Sequence, residues 1–223
     1  MELSGKHVVV TGACGALGRA VCTRAAGLGA TVTGLDIVAA ELPACAAVHA
    51  VDLGDAHATA ACFAGLAPVD ALFNIAGGFA MGPTAWQESD ADWDAMFAIN
   101  VDTLRHALRC VVPGMIARGR GSIVNVGALG ALKGQPNMAA YTAAKSVVMR
   151  LTESLSAEIR EKGINVNAVL PSLIDTPRNR ADMPGADHSR WVSPDDLANV
   201  ICFLGSDAAR AVHGALVPVS GLV

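Results

Sequence analysis

The 223-residue chain has one tyrosine, Tyr141, and it stands four positions before Lys145 in Tyr141-Thr142-Ala143-Ala144-Lys145. In a helix this spacing puts phenol and ammonium on one face, about 6 Å apart along the axis. A phenol ionises near pH 10 and carries protons poorly at neutrality, but an adjacent positive charge favours the phenolate and lowers that value. Such a pair can hand a proton to an oxygen or nitrogen, or take one from it. Tyr-x-x-x-Lys recurs by chance in helices, so its meaning rests on what precedes it.

What precedes it is Thr11-Gly12-Ala13-Cys14-Gly15-Ala16-Leu17-Gly18, between a β-branched run and an amphipathic stripe. Glycines in a strand-to-helix turn permit tight turning and let helix N-terminal amides approach a pyrophosphate. The bland reading is a compact turn; the strand, turn and helix context favours dinucleotide binding, with Gly12, Gly15, Ala16, Leu17 and Gly18 as contacts. Asp36 closes the second strand, where a carboxylate accepts hydrogen bonds from a ribose diol and repels a 2′-phosphate. No Lys or Arg lies at 13–16 or 37–40, which favours NAD(H) over NADP(H). An oxidised nicotinamide would add its positive charge to that of Lys145 beside the phenol.

The elements that must position these groups alternate along the chain. His7 to Thr11, Thr31 to Leu35, Ala47 to Val51, Ala71 to Asn74, Ser122 to Val126, Asn165 to Leu170 and Leu216 to Val219 read as strands, several apolar on both faces as buried parallel strands are. Leu17, Val21, Ala25 and Leu28 form one helical stripe, stopped by Gly29. Ser89 caps a predicted helix running to about Ala117, with Trp93, Phe97, Asn100, Leu104, Leu108 and Met115 on one face and Pro113 kinking its last turn. A second long helix begins near Ala139, carries Val148, Leu151, Leu155 and Ile159 inward, pairs Glu158 with Lys162, and ends at Gly163. Ser193-Pro194-Asp195-Asp196 opens a last helix. The expected fold is α/β, a single-domain Rossmann fold spanning 1–223: a doubly wound parallel sheet of about seven strands, helices on both faces, and a polar substrate lid at about 176–192.

Composition excludes several classes. Lys plus Arg total 16 against 20 Asp plus Glu, a net charge of -4, so there is no basic surplus for nucleic acid or anionic lipid. With 52% hydrophobic and 16% charged residues the chain can build a sizeable core. No apolar run reaches membrane-spanning length and the N-terminus lacks signal-peptide organisation, so a cytoplasmic protein is expected. The six cysteines contain no Cys-x-x-Cys and read as reduced, buried, inert thiols; the six histidines show no ligand spacing, and no metal is expected.

Along essentially its whole length the sequence resembles the short-chain dehydrogenase/reductase family. The matching pieces are the glycine turn, Asp52-Leu53, Asn74-Ile75-Ala76-Gly77, Asn100, Tyr141 with Lys145, and Pro171-Ser172-Leu173-Ile174-Asp175-Thr176. The resemblance implies hydride transfer with Tyr141 as general acid/base and Lys145 and Asn100 as catalytic partners, Asn100 keeping a water in a proton relay. It places Asp52 and Leu53 against the adenine, Asn74, Ala76 and Gly77 along the cofactor cleft, and Pro171, Ile174 and Thr176 on the carboxamide side. It also implies a homodimer or homotetramer paired through the two long helices.

Three positions depart from the family pattern. Ala16 replaces the usual middle glycine, a spacing shared with the extended branch of the superfamily, whose large C-terminal substrate region this chain lacks. Ser172 replaces a glycine after Pro171. Ala128, thirteen residues before Tyr141, replaces the serine that polarises a reacting oxygen, and Gly127 supplies no hydroxyl either. Loss of such a donor typically costs roughly 2.7 to 4 kcal/mol. Segments 76–79, 127–138 and 170–191 resemble the dihydropteridine reductase subgroup, which lacks that serine and reduces an electron-poor quinonoid dihydropterin. The expectation is therefore reduction of such a pterin; the alternatives are a ketone or secondary alcohol, and a nonenzymatic dinucleotide sensor. Arg178, Arg180 and Arg190 are candidate clamps on a planar or anionic substrate, with Phe79 and Trp86 as an opposing wall.

Overall fold

Seven short runs of β-branched and apolar residues pair side by side in the computed structural model, which describes residues 2–223. The strands are β1 (His7–Thr11), β2 (Thr31–Asp36), β3 (Ala47–Ala50), β4 (Ala71–Asn74), β5 (Gly121–Val126), β6 (Ile164–Pro171) and β7 (Leu216–Val219). Every pairing is parallel, in the order β3-β2-β1-β4-β5-β6-β7. The chain winds outward from β1 to β3, returns to β4, and winds the other way to β7. Winding therefore reverses between β1 and β4, and the crevice beyond the carboxyl ends of those two strands is where such a sheet takes a ligand.

Parallel strands need crossover helices, and these supply both covers. The helices are α1 (Ala16–Gly27), α2 (Ala56–Ala64), α3 (Asp90–Phe97), α4 (Thr103–Arg118), α5 (Ala139–Ile159), α6 (Pro177–Asp182) and α7 (Pro194–Leu204). On one face Leu17, Val21 and Ala25 of α1 join Leu197 and Ile201 of α7 over Val8, Val10 and Phe73. On the other, Phe63 of α2, Val111 and Met115 of α4 and Ile159 of α5 pack on Val9, Leu72 and Ile123. The result is one α/β domain with a seven-stranded parallel sheet. No helix among the described residues is long and apolar enough to cross a membrane.

The strand readings hold to within a residue at each end, and the Ser89 and Ser193 caps form, accepting from the Asp92 and Asp196 amides. The helices differ more. The predicted helix from Ser89 to Ala117 is three pieces: α3, a π-turn over Ala98–Asp102, and α4, with Pro113 inside α4. The extra residue of the π-turn breaks the expected stripe, so α3 buries nothing; Trp93 and Phe97 stack on each other at 5.1 Å, while Asn100, Leu104 and Met115 go inside. Helix α2 escaped the sequence reading because it is alanine-rich with only Thr59 and Phe63 buried; its one clear signal is Asp55, whose carboxylate accepts from the His57 and Ala58 amides. Glu158 and Lys162 do not pair, since α5 stops at Ile159 and residues 160–162 tighten into a 3-10 turn. All six thiols are free, but only Cys22 and Cys202 are buried; the other four are half-buried.

Gly163 has φ +78°, and a Cβ there would run into the Gly119 carbonyl. Gly27, within α1, has open space around its Cβ direction. Gly163→Ala is expected to destabilise by at least about 1–2 kcal/mol, and Gly27→Ala to stabilise by about 0.5–1 kcal/mol. Urea unfolding of the two variants checks both signs.

Candidate active site

The glycine turn closes on itself and on its neighbours. A Cβ on Gly12, at φ +65°, would lie 2.8 Å from the Ala76 nitrogen, and one on Gly18 would run into the Gly12 carbonyl. These two glycines are steric requirements. Gly15, by contrast, would meet its nearest atom at an ordinary 3.4 Å. Ala16 and Leu17 begin α1 and aim its free amides into the crevice. This narrow, amide-lined cradle fits a dinucleotide pyrophosphate. Asp36 sits at its rim and also holds it: Oδ2 accepts from the Cys14 amide at 2.8 Å and Oδ1 from the Val38 amide at 3.4 Å. Both oxygens keep lone pairs for a ribose diol. Arg19, in the first turn of α1, donates to the Cys14 carbonyl at 2.9 Å and braces the turn from the other side.

The next wall comes from β4. Thr11, whose hydroxyl the sequence reading did not single out, accepts from the Ile75 and Ala76 amides at 3.0 and 3.1 Å, pinning the exit of β4 beside the glycine turn. Asn74 faces away from that exit and ties β4 to β5, donating to Asn125 Oδ1 at 2.9 Å. Its own Oδ1 is buried without a partner. Asn100 is 1% exposed. It clamps Gly78 from both sides, accepting its N–H at 3.1 Å and donating to its carbonyl at 3.0 Å, with a second donation to the Met96 carbonyl. Both amide hydrogens are thus engaged within the protein. Gly77 lets Asn100 and Lys145 converge: a Cβ there would be 2.8 Å from Asn100 Oδ1 and 3.2 Å from Lys145 Nζ.

Asp52 turns back to accept the Gly54 amide at 2.8 Å, and Leu53 is buried in the core beneath α4. Pro171 ends β6. Ile174 makes a single parallel bridge to Val192. Thr176 caps α6 by accepting from the Asn179 amide at 3.2 Å, which leaves its hydroxyl proton free to donate. Ser172 bonds to the Ser220 carbonyl at 2.7 Å and anchors the end of β7.

The first turn of α5 presents Tyr141 and the second Lys145, which is 6% exposed and donates to the Val126 carbonyl at 2.9 Å. Burial shifts both groups toward neutrality: the Lys145 ammonium falls to about 8 and the Tyr141 phenol rises to about 12. The lowering expected from the ammonium together with an oxidised nicotinamide does not appear in the free protein, where desolvation alone raises the phenol. The phenol stays protonated at neutral pH, the form required to donate. Tyr141 packs in a small apolar cluster with Ala128, Leu129 and Leu170, and Ala128 is 5% exposed. No hydrogen bond holds the Tyr141 hydroxyl among the described residues. Phe79 meets the Tyr141 ring edge-on at 4.9 Å, whereas Trp86 is 82% exposed.

Segment 176–192 is more ordered than its composition suggests. It holds α6 and a short 3-10 turn, and Trp191 is buried. Arg180 is bidentate on Asp175 and Arg190 donates to the Leu222 carbonyl, so two of the three candidate clamps already have partners. Arg178 makes only a long 3.8 Å contact with Asp182.

Residues 6–186 match the family described as short chain dehydrogenase. The chain belongs to that family. The chain is 33% identical over 235 residues to 2-keto-3-deoxy-L-fuconate dehydrogenase of Xanthomonas campestris, covering 96% of this chain and 78% of that protein. It is 35% identical over 243 residues to galactitol 2-dehydrogenase (L-tagatose-forming) of Cereibacter sphaeroides, covering 99% and 95%. A solved structure from Beutenbergia cavernae with bound NADP superposes with a TM-score of 0.91 at 31% identity, covering 99% of this chain and 97% of that one. Other similar structures were obtained with NAD. The dehydrogenase is thus an oxidoreductase on an NAD(P)-binding fold. The two sequence relatives are named for substrates other than a pterin.

The buried lysine fixes a pH signature of stability. Its folded value lies below its unfolded one, so the unfolded chain binds the extra proton between about pH 8 and 10.5, and the contribution of Lys145 to stability rises with pH across that window. Burial also raises the thiols of Cys22, Cys45, Cys62, Cys110 and Cys202 and the Tyr141 phenol, and these lower stability as pH rises above about 9; Lys145→Met, which removes the opposing contribution, is therefore expected to make stability fall more steeply with pH than in the parent. Urea midpoints measured from pH 7 to 10 for both proteins check it.

Proposed function

We propose that the dehydrogenase is an NAD(H)-preferring reductase of an electron-poor, conjugated substrate, with a quinonoid dihydropterin as its best candidate. Tyr141 is the general acid, and Lys145 and Asn100 hold the surrounding architecture. The observation that carries this reading is Ala128, which packs in the apolar cluster beside the phenol and carries no hydroxyl. A ketone oxygen needs two donors to be held and polarised, and losing one costs about a hundred- to a thousand-fold in rate. A quinonoid dihydropterin regains a stable pyrimidine on reduction, so its chemistry makes the missing donor tolerable.

A reduced nicotinamide supplies the hydride. Gly12, Gly18 and the amides opening α1 would hold the pyrophosphate, Asp36 would take the ribose diol, and Gly77, Pro171, Ile174 and Thr176 would border the nicotinamide end. Tyr141 then delivers its hydroxyl proton to the substrate nitrogen, and substrate plus hydride plus proton gives the tetrahydro product. Lys145 stands one turn along α5 from Tyr141, and its positive charge favours the phenolate left behind once water is excluded. The likeness of segments 170–191 to dihydropteridine reductase supports the substrate, and the acidic Asp36 without a basic neighbour at 37–40 supports NAD(H). A homodimer or homotetramer through the outer faces of α4 and α5 belongs to the same proposal, as does a substrate lid at about 176–192.

A second reading, oxidation of a secondary alcohol or reduction of a ketone, is favoured by the names of the two relatives. The two separate in one assay, oxidation of NADH and NADPH with fresh quinonoid dihydropterin and with a ketone panel, corrected for the nonenzymatic rate. Rapid NADH-dependent pterin turnover, reduced about a hundredfold or more in Tyr141→Phe, is the expected result. Turnover of ketones alone, improved by Ala128→Ser, would replace this reading with the second. Asp36→Ser is expected to shrink the preference for NADH over NADPH by at least about tenfold, because a fixed like charge no longer meets the 2′-phosphate; the ratio of the two kcat/KM values measures it.

A further inference from the structure

We infer that Phe79 is the positioning residue for Tyr141, holding the phenol ring in its donating orientation where no hydrogen bond does so. The inference concerns how the general acid is held, and it rests on the proposed role of Tyr141 as that acid.

Three observations converge on it. The Tyr141 hydroxyl has no hydrogen-bond partner among the described residues, and position 128 is an alanine packed in the same cluster. Left with only aliphatic neighbours, a phenol ring turns easily about its side-chain torsions. Phe79 closes that freedom, its ring lying at 4.9 Å and 89° to Tyr141. This edge-to-face geometry is the one that aromatic quadrupoles prefer.

The backbone on either side of Phe79 is tied down, as a positioning group requires. On one side Gly78 is gripped through both its N–H and its carbonyl by the buried amide of Asn100. On the other, the segment is docked onto the start of the catalytic helix by two long-range bonds. The Gly82 amide donates to the Asn137 carbonyl at 2.9 Å, and Glu88 accepts the Ala140 amide at 3.2 Å. Asn137 takes a left-handed φ of 60°, which asparagine tolerates better than most residues. Glu88 serves as the acidic cap that α5 otherwise lacks, since Met138 at its N-cap provides no side-chain bond. Phe79 and Tyr141 are thereby mounted on one clasped unit. The ring of Phe79 is 41% exposed, so it also borders the substrate's approach.

The test uses Phe79→Leu, Phe79→Tyr, and each combined with Ala128→Ser, all checked for native melting. Phe79→Leu is expected to lower kcat about three- to tenfold, the loss of one aromatic pair, while KM for NADH is unchanged. Phe79→Tyr should keep most of the rate. Ala128→Ser should restore turnover in the Phe79→Leu background more than it alters the parent, because a hydroxyl at 128 offers the phenol another partner. A readout independent of turnover is the absorbance of tyrosinate after an alkaline jump, read within milliseconds before unfolding. In Phe79→Leu, Tyr141 should ionise at lower pH than in the parent as water reaches the phenol. Equal ionisation in both proteins, or a change confined to the substrate KM with no rescue by Ala128→Ser, would overturn the inference. Failure of dihydropterin turnover with the ionisation shift retained would count against the proposed substrate and leave this role standing.

Discussion

A lysine ammonium taken out of water is costly unless its protons find acceptors, and the protein acceptor that Lys145 finds is the Val126 carbonyl at 2.9 Å. Much of the surrounding architecture follows from keeping that group where it is. Val126 is the last residue of β5, so the lysine is referenced to the carboxyl edge of the sheet. Gly77 must lack a side chain for the loop after β4 to pass beside Nζ and Asn100. Asn100 must sit in the π-turn between α3 and α4 for its amide to reach Gly78. The same desolvation that drives Lys145 toward neutrality holds Tyr141 protonated, so one physical term prepares both members of the pair.

That arrangement gives the absent serine a consistent meaning. Ala128, Leu129 and Leu170 make the surroundings of the phenol apolar. An apolar pocket strengthens the few electrostatic interactions inside it, but it leaves a single donor for the substrate and nothing to steer the donor by hydrogen bonding. A substrate activated by its own electron demand suits the first consequence. A fixed aromatic neighbour suits the second. The cofactor end of the crevice shows the opposite character, with backbone amides, Thr11 and Asp36 supplying a dense polar cradle.

Features set by local pattern were legible in the sequence. Strands whose residues are apolar on both faces can only be central parallel strands, and the turn between β1 and α1 announces itself through Gly12 and Gly18, both sterically required in the structure. Ser89 and Ser193 marked their helices because capping is a contact over three residues. What escaped depends on distance in the chain or on sums of competing energies. Glu88 caps a helix 52 residues away, and nothing near it in sequence signals this. The π-turn at Ala98–Asp102 leaves no compositional mark, yet it removes Trp93 and Phe97 from the predicted core stripe. Arg180 and Arg190 read as free clamps because Asp175 and the Leu222 carbonyl become their partners only after folding. Spacing reveals the charge near Tyr141 and not the burial that raises the phenol in the free protein.

Burial among apolar neighbours keeps the Tyr141 phenol protonated in the free protein, and a positive nicotinamide beside it would favour the phenolate. As the chain has one tyrosine, its ionisation can be followed by tyrosinate absorbance without assignment. Alkaline jumps on the protein alone and on its complex with NAD⁺ measure it directly. Ionisation near pH 12 is expected in the free protein, with a clear downward shift when NAD⁺ is bound. Ionisation near the unperturbed value of about 10, the same with and without NAD⁺, would contradict it.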